Sequence, residues 1–190
     1  EPLCTGIGIS LFTLGADGSG DLNGILPPSG GLPVIPREEN DLAAILYTSG
    51  TTGRSKGAMI THDNLSTNAQ TLHRQWEFVP GDVLLHSLPI YHVHGLFVAL
   101  HCALLNASKM IWIQKFDSKL VNRKLQEATV FMGVPTHYTR LLTEDSFGTA
   151  NCAHMRLFIS GSAPLLSETF EQFRQRSGHT ILERYGMTEA

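Results

Sequence analysis

The sequence predicts an α/β fold, a mainly parallel sheet covered by helices on both faces, from two observations. From Asp41 onward, short apolar runs alternate with segments of helical period. Several of those runs end in small-residue turns, "YTSG" and "ISGSA" among them. Strands alternating with helices pair in parallel and are buried on both faces. In such sheets ligands gather beyond the carboxyl ends of the strands. The composition agrees: 190 residues with 42% hydrophobic and 16% charged side chains can bury a core, which excludes a disordered or fibrous chain.

Each element follows in order. Gly15 to Pro36, "GADGSGDLNGILPPSGGLPVIP", concentrates glycine, proline and serine and reads as a connection. Residues 1–40 are therefore assigned to a connecting segment at the edge of a preceding subdomain, and 41–190 to the core. "DLAAILYTS" reads as a buried strand feeding a loop. His62 to Trp76 is helical, with Leu65, Ala69, Leu72 and Trp76 at steps of three and four. "DVLLHSLP" and "KMIWIQKF" are strands bracketing an apolar, buried helix between Gly95 and Ala107. Asp117 caps a helix that ends before the strand "TVFMGVP". "RLFISGSA" is a strand into a turn, followed by a helix with Leu166, Phe170 and Phe173 on one face and Gly178 at its end. "TILERYG" closes the set.

Charge and cysteine content narrow the partners. With 14 basic against 17 acidic residues the formal charge is −3, so no basic field attracts nucleic acid or an anionic membrane. A small, specific ligand is expected instead. No apolar run approaches the ~20 residues that span a bilayer, and the amino terminus shows no targeting pattern. The chain reads as soluble, with the cytoplasm as the default compartment and the oligomeric state open. Cys4, Cys102 and Cys152 lack paired spacing, which suits core filling in a reducing interior.

"YTSGTTGRSKGA", Tyr47 to Ala58, carries the chemistry. Its hydroxyl side chains donate hydrogen bonds, its glycines let backbone N–H groups approach an anion, and Lys56 adds a point charge. Together they describe a loop folding over phosphates. The P-loop pattern GxxxxGK[ST] is not met, because Ser55 precedes Lys56 and Gly57 follows it.

The order of those residues resembles the signature loop of the adenylate-forming superfamily of acyl-CoA synthetases, peptide-synthetase adenylation domains and luciferases. Three further segments resemble that family in the right order: "LPIYHVHG" (Leu88 to Gly95), "ISGSAPL" (Ile159 to Leu165) and "YGMTE" (Tyr185 to Glu189). "LPIYHVHGLF" and "GVPTHYTRLL", with the glycine-rich run, look closest to malonyl-CoA synthetases. The resemblance covers Asp41 to Ala190.

What it implies is an acid–CoA ligase using ATP, Mg²⁺ and coenzyme A, with malonate or methylmalonate as the acid. Thr48, Ser49, Gly50, Thr51, Thr52 and Lys56, with Gly53 in the same loop, are implied to hold the β- and γ-phosphates. Thr188 is implied to bond the α-phosphate and Glu189 to bind Mg²⁺, a hard cation suited to carboxylate and phosphate oxygens. Tyr185 is implied to stack on adenine, with Gly186 and Met187 beside it. Gly161, Ser162, Ala163 and Pro164 form the neighbouring pocket, and Ser160 touches the acyl substrate. His92, in the aromatic-His pair, gates the carboxylate end of the acyl pocket.

Two residues stay open. His92 and His94 raise a metal question, but no further ligands stand at convincing spacing, and His94 reads equally as packing or function. Arg140 is ordinarily a solvated or ion-paired helix residue; pointing inward, its guanidinium could pair bidentately with a second carboxylate.

By the same resemblance, the ribose-binding aspartate, the arginine after it and the adenylating lysine lie downstream of Glu189, so the chain reads as an excerpt of a longer protein and a poor catalyst alone. Alternatives are a ligase for another short- or medium-chain acid, a peptide-synthetase adenylation domain, and a nucleotide-binding module without turnover. The peptide-synthetase class places an aspartate near "YHVHG" to meet the substrate amine, and none stands there.

Overall fold

The computed structural model describes residues 10–15, 17–25, 33–48 and 55–189. The chain divides into two compact units, Glu1–Pro36 and Arg37–Ala190. Among the described residues of the first, a 3₁₀ turn spans Asp21–Gly24. The Asp21 carboxylate accepts hydrogen bonds from the backbone and hydroxyl of Thr13, and Asp17 accepts from Ser19.

The second unit begins with an antiparallel hairpin, β1 (Leu42–Thr48) and β2 (Lys56–Thr61), paired from Leu42↔Thr61 to Thr48↔Lys56. Sequence reading missed β2. "KGAMIT" carries little β propensity of its own, and pairing with β1 makes it a strand. The expected burial of β1 is also corrected. Ile45, Tyr47 and, across the ladder, Met59 are exposed, because β1 belongs to this two-stranded ribbon and not to the parallel sheet.

Thr61 ends β2 and caps α1 (His62–Gln75) through a reciprocal pair. Its hydroxyl accepts from the Asn64 N–H at 3.2 Å, and its own N–H donates to Asn64 Oδ1 at 3.0 Å. Ala69 and Leu72 face the core, and buried Trp76 follows the helix.

The remaining strands are β3 (Val83–His86), β4 (Lys109–Trp112), β5 (Val130–Gly133), β6 (Leu157–Ser160) and β7 (Ile181–Glu183). They form one sheet in the order β4-β3-β5-β6-β7, parallel throughout. Successive strand residues point to opposite faces, and two cores result. Leu84, Val130, Met132 and Ile159 meet Trp76, Val98, Ala99 and Cys102 on one face. Leu85, Phe131, Phe158 and Ile181 meet the helices of the other.

On the first face a π-helical stretch, His94–Leu100, runs directly into α2 (His101–Leu105). The expected helix between Gly95 and Ala107 is thus wider than an α-helix over its first half. On the second face lie α3 (Ser118–Lys124), α4 (Pro135–Leu142) and α5 (Ser167–Ser177). Asp117 caps α3 as expected, accepting from the Leu120 N–H at 2.8 Å, and α5 ends at Gly178 with φ 77°. Leu166 does not join the α5 face; it precedes the helix and is exposed, while Phe173 is fully buried. Tyr138 of α4 is sealed under the sheet, its hydroxyl donating to the Ile159 carbonyl.

One polar network locks the amino ends of three neighbouring strands. Buried Asp82, before β3, accepts from the Thr129 hydroxyl before β5 at 2.8 Å and from Arg156 before β6 at 2.5 and 3.1 Å. Thr129 Oγ1 in turn accepts from the Val83 N–H. Each buried lone pair is thereby satisfied across strands that touch only in three dimensions.

Candidate active site

A cavity of about 1320 Å³ opens at the carboxyl ends of β3, β5, β6 and β7. After β3 come Leu88, Pro89 and His92 to Gly95; after β5, Val134 and His137; after β6, Ser162; after β7, Arg184 to Glu189. The hairpin and α1 form the facing wall through Ala58, Ile60, Asn64 and Asn68. Parallel strands end their turns on one side of the sheet, so four sequence-distant loops converge there.

His92, Ser162 and Tyr185 to Glu189 meet in this cavity. Tyr185 is 90% exposed, an open aromatic face at the rim. Gly186, Met187, Thr188 and Glu189 continue the lining, and His92 also lines the cavity, exposed, its ring 4.9 Å from that of Tyr91. Thr48, at the end of β1, donates from Oγ1 to Glu189 Oε1 at 3.2 Å. The glycine-rich stretch and the aromatic-Gly-x-Thr-Glu motif therefore touch through side chains. Lys56 begins β2, exposed and outside the lining. Ser49, Gly50, Thr51, Thr52 and Gly53 lie outside the described residues.

Of "SGSAP", Ser162 alone reaches the cavity. Ala163 and Pro164 are exposed away from it, and Ser160 is fully buried at the end of β6, paired with Gly133 and Glu183. Gly161 lies beneath Arg184: a Cβ there would come within 2.8 Å of Arg184 Nε, so any larger residue would have to displace the Arg184 side chain. Arg140 is not seen pointing inward. It is exposed on α4, its guanidinium carbon 5.1 Å from the centre of the Phe116 ring, and does not line the cavity.

Sequence reasoning missed two residues. His137 lines the cavity with its ring stacked on Phe116 at 3.9 Å; its signal was its place in "GVPTHYTRLL", one turn before Arg140. Burial, and then the Arg140 charge, push the His137 ring down to about 4. Arg184 immediately precedes "YGMTE", and burial lowers its guanidinium from the ordinary value. His94, left open above, is buried in the cavity floor, with Nδ1 3.1 Å from Ser162 Oγ. No group of three or more metal-ligating side chains occurs among the described residues.

The family model for AMP-binding enzymes matches residues 13–190. The chain belongs to the AMP-binding enzyme family. Among curated relatives, the mitochondrial malonate–CoA ligase ACSF3 of Mus musculus is 41% identical over 163 residues, covering 77% of this chain and 28% of that protein. Among solved structures, ATP-bound MatB from Rhodopseudomonas palustris is 51% identical with a TM-score of 0.93, over 99% of this chain and 38% of that one. A malonyl-CoA ligase ternary product complex with methylmalonyl-CoA and AMP bound is 36% identical with a TM-score of 0.77, over 84% of this chain and 36% of that one. The chain thus spans about a third of the length of these family members. Its parallel sheet and flanking helices are those of the family's large domain, and among its described residues no helix is long and apolar enough to cross a membrane.

Proposed function

We propose that the full-length protein is an AMP-forming acid–CoA ligase acting on malonate or methylmalonate. The observation that carries this reading is the 51% identity, across 99% of the chain, to a MatB structure bound to ATP. The relatives named above as malonate–CoA or malonyl-CoA ligases support the same acid.

In this reading a substrate carboxylate oxygen attacks the α-phosphorus of ATP, the bond to the bridging oxygen breaks, and pyrophosphate leaves. The thiol of coenzyme A then attacks the acyl carbon and AMP departs. Tyr185 offers adenine a flat exposed face, Thr188 a hydroxyl to the α-phosphate, and Thr48 with the loop after it donors to the outer phosphates. Mg²⁺ fits the residues present: Glu189 presents its carboxylate at the cavity rim, bonded to a hydroxyl and to no cation among the described residues. When bound there, the metal supplies charge neutralisation as pyrophosphate leaves. Arg140, exposed on α4 and outside the cavity lining, has no contact with the acyl end, so selection of the second carboxylate is not assigned to it. His92 guards the entrance of the acyl end.

Mass spectrometry of the full-length protein incubated with ATP, Mg²⁺, coenzyme A and malonate tests the reading. Malonyl-CoA and AMP are expected in equal amounts. Acyl transfer only to a carrier-protein thiol would favour the peptide-synthetase alternative, and AMP-free mixtures with every acid would leave a nucleotide-binding module.

A further inference from the structure

His94 and Ser162 form a pair with no role in the chemistry above. His94 is the first residue of the π-helical stretch and is 97% buried, at 3% exposure. Such widened turns concentrate at functional sites. Ser162 sits at φ 69°, the left-handed region that a residue with a Cβ rarely adopts. Strained backbone of this kind persists where the surroundings hold it, and it clusters at sites of function. The Ser162 hydroxyl meets His94, with Nδ1 3.1 Å from Oγ.

The imidazole's other nitrogen decides the direction of that hydrogen bond. His94 Nε2 is buried with no hydrogen-bond partner among the described residues. An N–H at that position would be a buried donor without an acceptor, the costlier arrangement. The proton therefore belongs on Nδ1, which donates to Ser162 Oγ. Burial first, then the positive charge of Arg184 and the neighbouring rings of His137 and His86, push His94 down to about 3, so the ring stays neutral. With one lone pair of Oγ engaged, the Ser162 hydroxyl proton is turned outward, into the cavity that Ser162 lines.

We propose that His94 is a positioning residue: as the neutral Nδ1–H tautomer it donates to Ser162 and fixes the serine hydroxyl as a hydrogen-bond donor to a carboxylate of the acyl substrate. This rests on the ligase reading for the identity of the acceptor, but the tautomer and the pairing do not.

Nitrogen NMR of the full-length protein with labelled histidine reads the tautomer without substrate. A protonated Nδ1 on His94, lost from its hydrogen bond in Ser162→Ala, is expected; a protonated Nε2 overturns the proposal even if the ligase reading stands. Steady-state kinetics reads the consequence. His94→Leu and Ser162→Ala should each raise KM for malonate about tenfold, with KM for ATP and kcat little changed, because one donor to a charged group is lost. The double variant should do no worse than either single, and His94→Asn, whose amide N–H can replace Nδ1–H, should recover most of the loss. Additive effects, or a change confined to KM for ATP, would overturn it. A wild-type protein inert toward malonate but showing the Nδ1–H tautomer would reject the ligase reading and the carboxylate acceptor, leaving only the pairing.

Discussion

Thr48 Oγ1 donates to Glu189 Oε1 at 3.2 Å, across 141 residues of sequence. The contact joins the strand leading into the glycine-rich stretch to the end of the "YGMTE" motif, and in the proposed function it orients the carboxylate that would meet Mg²⁺. Hydrogen bonds to charged groups are worth about 1.5–3 kcal/mol. Thr48→Val should therefore raise the Mg²⁺ concentration for half-maximal pyrophosphate exchange by roughly tenfold or more, leaving the melting temperature unchanged. An unaltered Mg²⁺ requirement would show that the contact does not orient the ligand.

Arg140→Ala should change kcat/KM for malonate and acetate alike, by no more than about twofold, because the guanidinium lies exposed over the Phe116 ring and outside the cavity. A loss of about tenfold or more confined to malonate would show instead that its charge reads the second carboxylate.

Arg156→Met should destabilise the fold by roughly 3 kcal/mol, because it leaves the buried Asp82 carboxylate without its cation. Lys124→Met breaks an ion pair of similar length, to Glu127 at 2.7 Å, but an exposed one, and should cost under about 1 kcal/mol. Urea titration of the two variants checks the contrast; equal costs would mean that the network does not lock the strand ends.

Acid should destabilise the protein through its cavity histidines. His94 is pushed down to about 3 and His137 to about 4 from the ordinary 6.5. Above that ordinary value neither ring is charged in the folded or the unfolded state, so their contribution is full. Below it the unfolded chain takes up protons that the folded protein refuses, so stability falls with pH until each folded value is reached. The slope is at most about 1.4 kcal/mol per pH unit for each ring. Melting temperatures measured from pH 7 to 5 should decline, and less so in His94→Leu; a flat profile in both would contradict the assignment.

The parallel sheet was legible because each strand after Asp82 is a short apolar run bounded by turn residues, a signal that survives without tertiary knowledge. β2 was not, because its identity comes from Tyr47↔Gly57 and its neighbouring pairs in the ladder, not from its own side chains. The site divides similarly. Tyr185 to Glu189 and His92 could be placed from contiguous motifs. The His94–Ser162 bond, spanning 68 residues, and the stacking of His137 on Phe116 exist only once β3, β5 and β6 lie side by side. Arg140 misled in the opposite sense: helical spacing placed it on α4 but could not say which face met the cavity.

Pyrophosphate exchange into ATP by the full-length protein, with malonate, methylmalonate, acetate and octanoate at matched concentrations, tests the central claim most directly. Exchange driven by the two dicarboxylates well above the monocarboxylates is the predicted result. Exchange driven only by acetate or octanoate would contradict the malonate assignment while keeping the adenylation chemistry, and absence of exchange with all four would contradict the proposed ligase itself.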